Sequence, residues 1–313
     1  PMKVLQRRYD DRTVTDLWRE VSGSKVVLER VLRPFCRAIQ FTDADQFSAY
    51  NFLGWAHQTL IRPLRARLGG YRGAREEIIF QPFGQYLTKK GVEIRTGVEV
   101  QEILFSPEDR KITGFRLAGG ETLVADLYVV ALPQWIFVDK MPPPLLSDPF
   151  FVEITKLPVA PAISVQLWFD REITKLDGYV LVPHSYGPVY QDQSRITYPT
   201  AKGSRISVIV SPADELLGWD EAAIVQHVKS TLGRANPKIG EAVITKSVVI
   251  KHPRHLIRPL PGAMTMRPKQ ATPVANLFLA GDWTQQSFFG SQEGAVRGGN
   301  ACGREILRAT GRG

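Results

Sequence analysis

Three things are missing from this sequence: long hydrophobic runs, a set of cysteines, and any repeated or low-complexity tract. No stretch reaches the roughly 18 uninterrupted apolar residues of a membrane-spanning helix, so none is predicted. The two cysteines, Cys36 and Cys302, lie far apart and lack the spacing of metal ligands. They predict reduced structural thiols in a cytoplasmic protein rather than a disulfide framework or a metal site.

A glycine-rich phosphate loop is also absent. In dinucleotide-binding folds, a Gly-x-Gly-x-x-Gly turn joins a strand to a helix and cradles the diphosphate. No six consecutive residues of this sequence fit that pattern. The sequence therefore lacks the complete phosphate-binding unit of such a fold.

What is present is typical of a globular protein with a full core. The chain has 313 residues, of which 43% are hydrophobic and 23% charged. That length predicts two domains or one large interleaved unit. The expected fold class is α+β, because helical patterns alternate with groups of strands.

Acidic residues are the minority, and the formal net charge is +9. The excess is concentrated in residues 1–75, which hold fourteen Lys and Arg against seven Asp and Glu. We expect no nucleic-acid partner, because neither a binding motif nor a lysine cluster is present. An anionic membrane surface and a simple solvated basic face both remain open.

Residues 276–301 carry the most informative pattern. The apolar run at 277–280 suits a strand buried on both faces of a parallel sheet. It ends at Gly281 and Asp282, where the glycine allows a ligand to approach the backbone closely. Ser291 is the predicted N-cap of a helix rich in glycine and alanine. Such a strand, turn and helix direct backbone N–H groups at an electron-rich ligand.

This segment resembles the C-terminal flavin motif of FAD-dependent amine oxidases and carotene desaturases, more specifically that of plant- and cyanobacterial-type phytoene and zeta-carotene desaturases. Residues 267–276 resemble the segment that precedes the motif in those enzymes. The resemblance implies that Gly281 and Asp282 contact the ribityl and diphosphate part of FAD.

The same resemblance places the start of the C-terminal helix, with Ser291, Gln292 and Ala295, at the pyrimidine edge of the flavin. A helix N-terminus there would stabilise the negative charge of a reduced flavin. Residues 125–133 resemble a second strand of these flavoproteins. By the same likeness, the backbone of Val100 would meet the adenine edge.

Four segments follow from the resemblance: a helical part of a substrate domain (1–90), strands of a flavin domain (91–134), a mixed-sheet substrate domain (135–270) and a C-terminal flavin-binding strand and helix (271–313). The fold implied is an α/β flavin-binding half interleaved with the substrate domain, and it is partial because the front half is missing. The opening at Pro1 favours a fragment. A second polypeptide carrying the front half and a degenerate relative without catalysis remain alternatives.

The predicted function is FAD-dependent dehydrogenation of a long polyene or isoprenoid hydrocarbon, with electrons passed to a quinone. A redox-neutral isomerisation and a squalene-type desaturation stay open within the class. Oxidation of small amines is disfavoured because Ser291 replaces the aromatic residue that cages the amine. A flavin-deficient relative acting as a binding subunit is the alternative from another class.

Two further expectations concern side chains. Residues 47–68 place aromatic and aliphatic residues beside Arg62, Arg65 and Arg67, a pattern of an interfacial helix and of a peripheral membrane protein. No catalytic side chain is assigned, because Ile78 stands where the resemblance implies an arginine. His252 and His255 are predicted to lie in a turn and not to bind a metal.

Overall fold

A computed structural model of the protein describes residues 8–59, 71–176, 178–183, 189–199, 202–288 and 290–312. Helices and sheets alternate along the chain, which confirms the α+β class. Among the described residues, no helix is both long enough and apolar enough to cross a membrane.

The first part of the chain is helical, as predicted. Helix α1 (Val14–Glu20) begins at Thr13, whose hydroxyl accepts a hydrogen bond from the Asp16 backbone N–H at 3.1 Å. The Asp16 carboxylate accepts one in return from the Thr13 N–H, also at 3.1 Å. This reciprocal capping box satisfies donors that the first helical turn leaves free.

A nearly continuous helical path follows, made of α2 (Lys25–Val27), a π-helical turn (Leu28–Leu32) and α3 (Arg33–Gln40). A proline within a helix is expected to kink or end it, but the helical path continues past Pro34 to Gln40. The wider π-helical turn immediately before Pro34 accommodates the proline ring. It also tolerates the lack of a backbone N–H donor at this residue. Helix α4 (Ala49–Thr59) completes this region.

The residues expected at a membrane interface are only partly described. Phe47 at the start of that segment is fully buried in the core beneath α3. Phe52 packs against the same cluster. Arg62, Arg65 and Arg67 lie outside the described residues.

A three-stranded antiparallel sheet comes next, after α5 (Gln81–Lys89). It contains β1 (Val100–Ser106), β2 (Lys111–Leu117) and β3 (Thr122–Leu123). The period-two alternation at 92–105 predicts one strand, but only its second half forms β1. Strand β2 ends opposite Val100, and beyond it the Glu99 carbonyl accepts one more backbone hydrogen bond, from the Ala118 N–H at 2.9 Å.

The predicted strand at 122–132 is split between two sheets. Its first residues form β3, and β4 (Tyr128–Val130) pairs in parallel with β10 (Leu277–Leu279). This parallel pairing confirms the prediction for the C-terminal strand. The side chain of Asn276 joins the two sheets, since its amide group donates to the Ile112 carbonyl at 2.8 Å and accepts from the Ile112 N–H at 2.9 Å.

A five-stranded sheet forms the remaining core, in the order β6-β7-β8-β5-β9. The strands are β5 (Val159–Phe169), β6 (Tyr179–Leu181), β7 (Val189–Asp192), β8 (Ser204–Val210) and β9 (Ile244–Ile257). Each adjacent pair of strands is antiparallel, so the expectation of a mixed sheet is wrong. One face is covered by α8 (Glu221–Ala235), close to the predicted helix at 219–232.

Short elements connect the sheets: α6 (Gln134–Lys140), a 3₁₀ turn (Pro143–Ser147), α7 (Pro149–Thr155) and α9 (Pro237–Glu241). The chain closes with α10 (Gln292–Ala309). The turn expected at His252 and His255 is wrong, because both lie within β9, which runs beside β5 over nearly its whole length. Both cysteines are buried and unpaired.

Candidate functional site

The site is built around the turn that connects β10 to α10. The backbone of Gly281, directly after the strand, has φ 136°, a conformation that favours glycine. Ser291 caps α10 as predicted, and its hydroxyl accepts a hydrogen bond from the Gly294 N–H at 3.1 Å. The capped helix therefore starts at a fixed point beside the end of the strand.

Helix α10 packs directly on this turn. A Cβ atom added to Gly298 would lie 2.2 Å from the carbonyl oxygen of Gly281, so only glycine allows the contact. The same carbonyl oxygen accepts a hydrogen bond from the Thr284 hydroxyl at 2.8 Å. The glycines of the helix therefore serve close packing at this point as well as leaving space near its start.

Asp282 lines the site, and its surroundings in the loop shift the pKa of its carboxyl group. Burial raises the pKa of Asp282, while the nearby positive charge of Arg267 and the backbone N–H groups of residues 282, 283 and 291 lower it. The sequence alone did not indicate that Arg267 would be this carboxylate's partner.

Arg267 itself is a buried arginine with 5% of its surface exposed. Its Nη1 donates to the carbonyl of Phe288 at 2.8 Å, and its Nε has no hydrogen-bond partner among the described residues. Burial lowers the pKa of Arg267 to about 10. The Arg267 guanidinium anchors the Phe288 carbonyl in the loop that leads into α10.

Trp283 connects the two parallel strands. Its indole N–H donates to the carbonyl of Leu132 at 2.9 Å, just beyond the end of β4. The ring is buried and stacks on Phe137 of α6, with ring centres 6.1 Å apart. The ends of β4 and β10 are thus held side by side, as ligand sites in open α/β sheets require.

A cavity of about 490 Å³ opens at these strand ends, and we call it the strand-end cavity. Residues 131–135, 254–257 and 281–283 line it, together with His252 and Ala295. Three predicted cofactor residues, Gly281, Asp282 and Ala295, therefore meet at one cavity. Its size is within the usual range of small-molecule sites.

Val100 lies in a neighbouring cavity of about 680 Å³, with residues 97–101 and part of α6. Leu132 lines both cavities. An ion pair also spans them, since Arg254 of the first contacts Asp139 of the second through two hydrogen bonds of 3.0 and 2.6 Å. The two cavities are therefore adjacent, and Val100 stands beside the strand-end cavity rather than in it.

Gln292 is exposed on the first turn of α10. Its side-chain oxygen accepts a hydrogen bond from the Tyr71 hydroxyl at 2.7 Å. Nearby, the buried Gln40 donates to the Gly290 carbonyl at 3.0 Å. Contacts from distant parts of the chain thus fix the start of the helix, which the sequence did not predict.

One wall of the strand-end cavity is basic, and sequence reasoning did not identify it. His252, Arg254 and His255 of β9 line it, and the two imidazole rings lie 5.2 Å apart. The His255 ring also packs edge-on against Phe41. Burial and the neighbouring His252 lower the pKa of His255. Only the strand assignment, not the histidine spacing, could have revealed this wall.

These features fit a flavin dinucleotide. The site combines parallel strand ends, a glycine turn, a capped helix start and a small residue at Ala295, which leaves room beside the helix. No group of three or more His, Cys, Asp or Glu side chains suited to a metal occurs within the described residues. The chemistry of the lining is that of an organic, anionic ligand.

Comparison with known proteins agrees with this geometry. Residues 2–307 match the family described as flavin containing amine oxidoreductase. A 15-cis-phytoene desaturase from Synechococcus elongatus is 27% identical over 309 residues, covering 95% of this chain and 65% of that protein. One from Solanum lycopersicum is also 27% identical, covering 96% and 52%. The chain thus spans about half to two thirds of these relatives.

Solved structures share the fold at low sequence identity. An oxidoreductase from Methanosarcina mazei aligns with a TM-score of 0.70 and 14% identity over 97% of this chain and 69% of that one. A reduced UDP-galactopyranose mutase aligns with a TM-score of 0.68 and 11% identity, covering 96% and 68%. The α+β fold of FAD-dependent amine oxidases implied by the sequence is therefore confirmed, and the chain aligns with 69% and 68% of these two structures.

Proposed function

This chain belongs to the flavin-containing amine oxidoreductase family, and from that premise we propose that it is the larger part of an FAD-dependent carotene desaturase. The proposed reaction removes hydrogen from a long polyene or isoprenoid hydrocarbon. Relatives named 15-cis-phytoene desaturase and probable zeta-carotene desaturase support this choice, each 27% identical to the chain.

One observation carries the proposal: Gly281, Asp282 and Ala295 converge on the strand-end cavity at the ends of β4 and β10. Ligands in open α/β folds bind outside the carboxyl ends of parallel strands. We infer that the glycine turn admits the ribityl and diphosphate part of FAD. Ser291 and Gln292 would hold the flavin edge, and Val100, in the adjacent cavity, the adenine edge.

The chain's own residues contribute position and electrostatics. Ser291 fixes the start of α10, whose N-terminus favours negative charge at the bound ligand. Arg267 and the backbone N–H donors hold Asp282 in place. Trp283 seals the space behind the strand ends, because its ring is buried and hydrogen-bonded to Leu132. Bound flavin would supply the hydride acceptor.

The partners follow from the same proposal. A polyene lipid as substrate requires access from a membrane, and the basic first quarter of the chain supports attachment to an anionic surface. A quinone would take the electrons. We also propose that a glycine-rich phosphate loop outside these 313 residues completes the FAD site, on the same chain in the intact protein or on a second subunit. The lack of that motif here and the two-stranded parallel sheet support this.

The test uses the chain joined to such a dinucleotide-binding segment, loaded with FAD and kept free of oxygen. Adding a phytoene-type polyene in liposomes should bleach the flavin absorbance, and a quinone should restore it. Product analysis then shows new conjugated double bonds.

Bleaching by a saturated isoprenoid or by a small amine, but not by the polyene, would contradict the desaturase assignment. A flavin that stays oxidised with every donor would instead support a binding subunit. A polyene whose double bonds change configuration without change in their number would identify an isomerase.

A further inference from the structure

We infer that the histidine pair of β9 forms a phosphate-binding wall in the strand-end cavity. The wall consists of His252, Arg254 and His255, and its ligand is the diphosphate of FAD. The inference rests on the proposed FAD site and adds side chains that neither the motif nor the family likeness indicated.

Position is the first argument. These three side chains line the same cavity as Gly281 and Asp282. The flavin edge is expected at the start of α10 and the adenine edge at Val100 in the adjacent cavity. The middle of the dinucleotide, which carries the phosphates, would therefore cross the strand-end cavity in front of this wall.

Charge is the second argument. The wall has three groups that can carry positive charge, and the facing carboxylate of Asp282 already accepts backbone hydrogen bonds and lies near Arg267. Arg254 is oriented by its two hydrogen bonds to Asp139 of α6. The histidines are thus the groups of the wall that remain available for an anion.

Protonation is the third argument. Without an anion, burial and the charge of His252 keep the pKa of His255 low. The charged and titratable groups of the same cavity are His252 and Arg254 on β9 and Asp282 after β10, and Arg254 is hydrogen-bonded to Asp139 of α6. The Phe41 ring packs edge-on against the His255 imidazole. A phosphate within hydrogen-bonding reach of the imidazoles would favour their charged form, so binding would take up protons.

The test compares FAD with riboflavin, which has the same flavin ring but no phosphate. Affinity is measured by flavin fluorescence on the purified 313-residue chain, at ligand concentrations high enough to saturate weak binding. We expect the double variant His252→Gln, His255→Gln to weaken FAD about tenfold and leave riboflavin unchanged, as for loss of charge-assisted hydrogen bonds. His57→Gln, on α4 and outside the cavity lining, is the matched control.

The pH dependence gives a second, independent readout. Wild-type affinity for FAD should fall several-fold from about pH 6 to about pH 8, because protonated histidines are lost over this range. The affinity for riboflavin should not change over the same pH range. Proton NMR should show that the pKa values of His252 and His255 rise on addition of FAD but not of riboflavin. This measurement uses the wild-type protein, so it does not depend on whether a variant folds.

The outcomes separate the two proposals. If the double variant loses affinity for FAD and riboflavin equally, or if the histidine pKa values do not change on addition of FAD, the phosphate-wall inference fails. The proposed flavin site is not affected by either result. A chain joined to a dinucleotide-binding segment that still binds neither ligand, even at millimolar concentration, would overturn both.

Discussion

The carbonyl oxygen of Gly281 lies so close to Gly298 that a Cβ atom at residue 298 would stand 2.2 Å away. The strand-end turn and the C-terminal helix are therefore interlocked through two glycines 17 positions apart in the sequence. A side chain at Gly298 would displace the backbone of Gly281, whereas a Cβ atom at Gly281 would lie 2.8 Å from the indole nitrogen of Trp283.

Gly298→Ala should therefore destabilise the protein, by about 1–3 kcal/mol, because a methyl group must displace backbone atoms. The free energy of unfolding from urea titration measures this. Gly299→Ala is the matched control, since nothing lies within 4 Å of its Cβ position. That variant should be neutral or more stable by up to about 1 kcal/mol. Equal stability of the two variants would show that the helix is not packed as described.

The pH dependence of stability should report on His255. Its pKa is lowered in the folded state, so the unfolded chain binds the proton more readily. The folded state consequently loses stability as the pH falls below about 6.5, the ordinary histidine value. His255→Gln removes this loss. Its free energy of unfolding should fall less than that of the wild type between about pH 7 and pH 5.

His57→Gln on α4 provides the reference for this comparison, because it removes a histidine outside the strand-end cavity. If His57→Gln flattens the pH profile as much as His255→Gln does, the acid sensitivity does not come from the cavity wall.

Local patterns predicted the core of the site well. The apolar run before Gly281, the N-cap at Ser291 and the parallel pairing of β10 each follow from short-range physical rules, and the structure has all three. The flavin family followed from the same segment. Val100, Gly281, Asp282, Ser291, Gln292 and Ala295 remain predicted FAD contacts.

The remainder depends on long-range contacts that no local pattern encodes. The positive charge of Arg267 lies near Asp282 only because the chain returns to the end of β10. Period-two alternation could not show that β2 is too short to pair with residues 92–99. The histidines looked like a turn around Pro253, but both lie in β9, where His252 pairs with Ala162 and His255 directly precedes the pair of Leu256 with Ala160. Both line the strand-end cavity.

Membrane attachment is a separate prediction, which rests on the sequence. If residues 47–68 bind a membrane surface, the protein should pellet with anionic liposomes and be released by high salt, since salt screens surface charge. Replacing Arg62, Arg65 and Arg67 by glutamate should abolish pelleting and leave the circular dichroism spectrum unchanged.

The same number of charges can be reversed elsewhere as a control. Arg304, Arg308 and Arg312 are exposed at the far end of the chain. Their replacement by glutamate should leave most of the pelleting intact. If both triple variants lose it equally, net charge rather than this segment attracts the membrane.

Cofactor retention tests how the FAD site is divided. The chain provides the strand-end cavity and the capped helix but no glycine-rich phosphate loop. Losing several hydrogen bonds to phosphate and ribose, worth roughly 1.5–3 kcal/mol each when charged, weakens binding by orders of magnitude. The 313-residue chain purified alone should therefore be colourless or carry little FAD.

Adding a dinucleotide-binding segment should restore a yellow, tightly held flavin, and Asp282→Ala should weaken it again because the loop before α10 loses the carboxylate that accepts its backbone N–H groups. Asp109→Ala, in the turn after β1, is the control and should retain FAD. Absorbance after gel filtration measures the bound fraction. Stoichiometric FAD on the isolated chain would mean that the strand-end cavity supplies most of the binding free energy. If the completed protein also lacks flavin, the desaturase proposal fails, since without an electron acceptor the site can only bind its lipid.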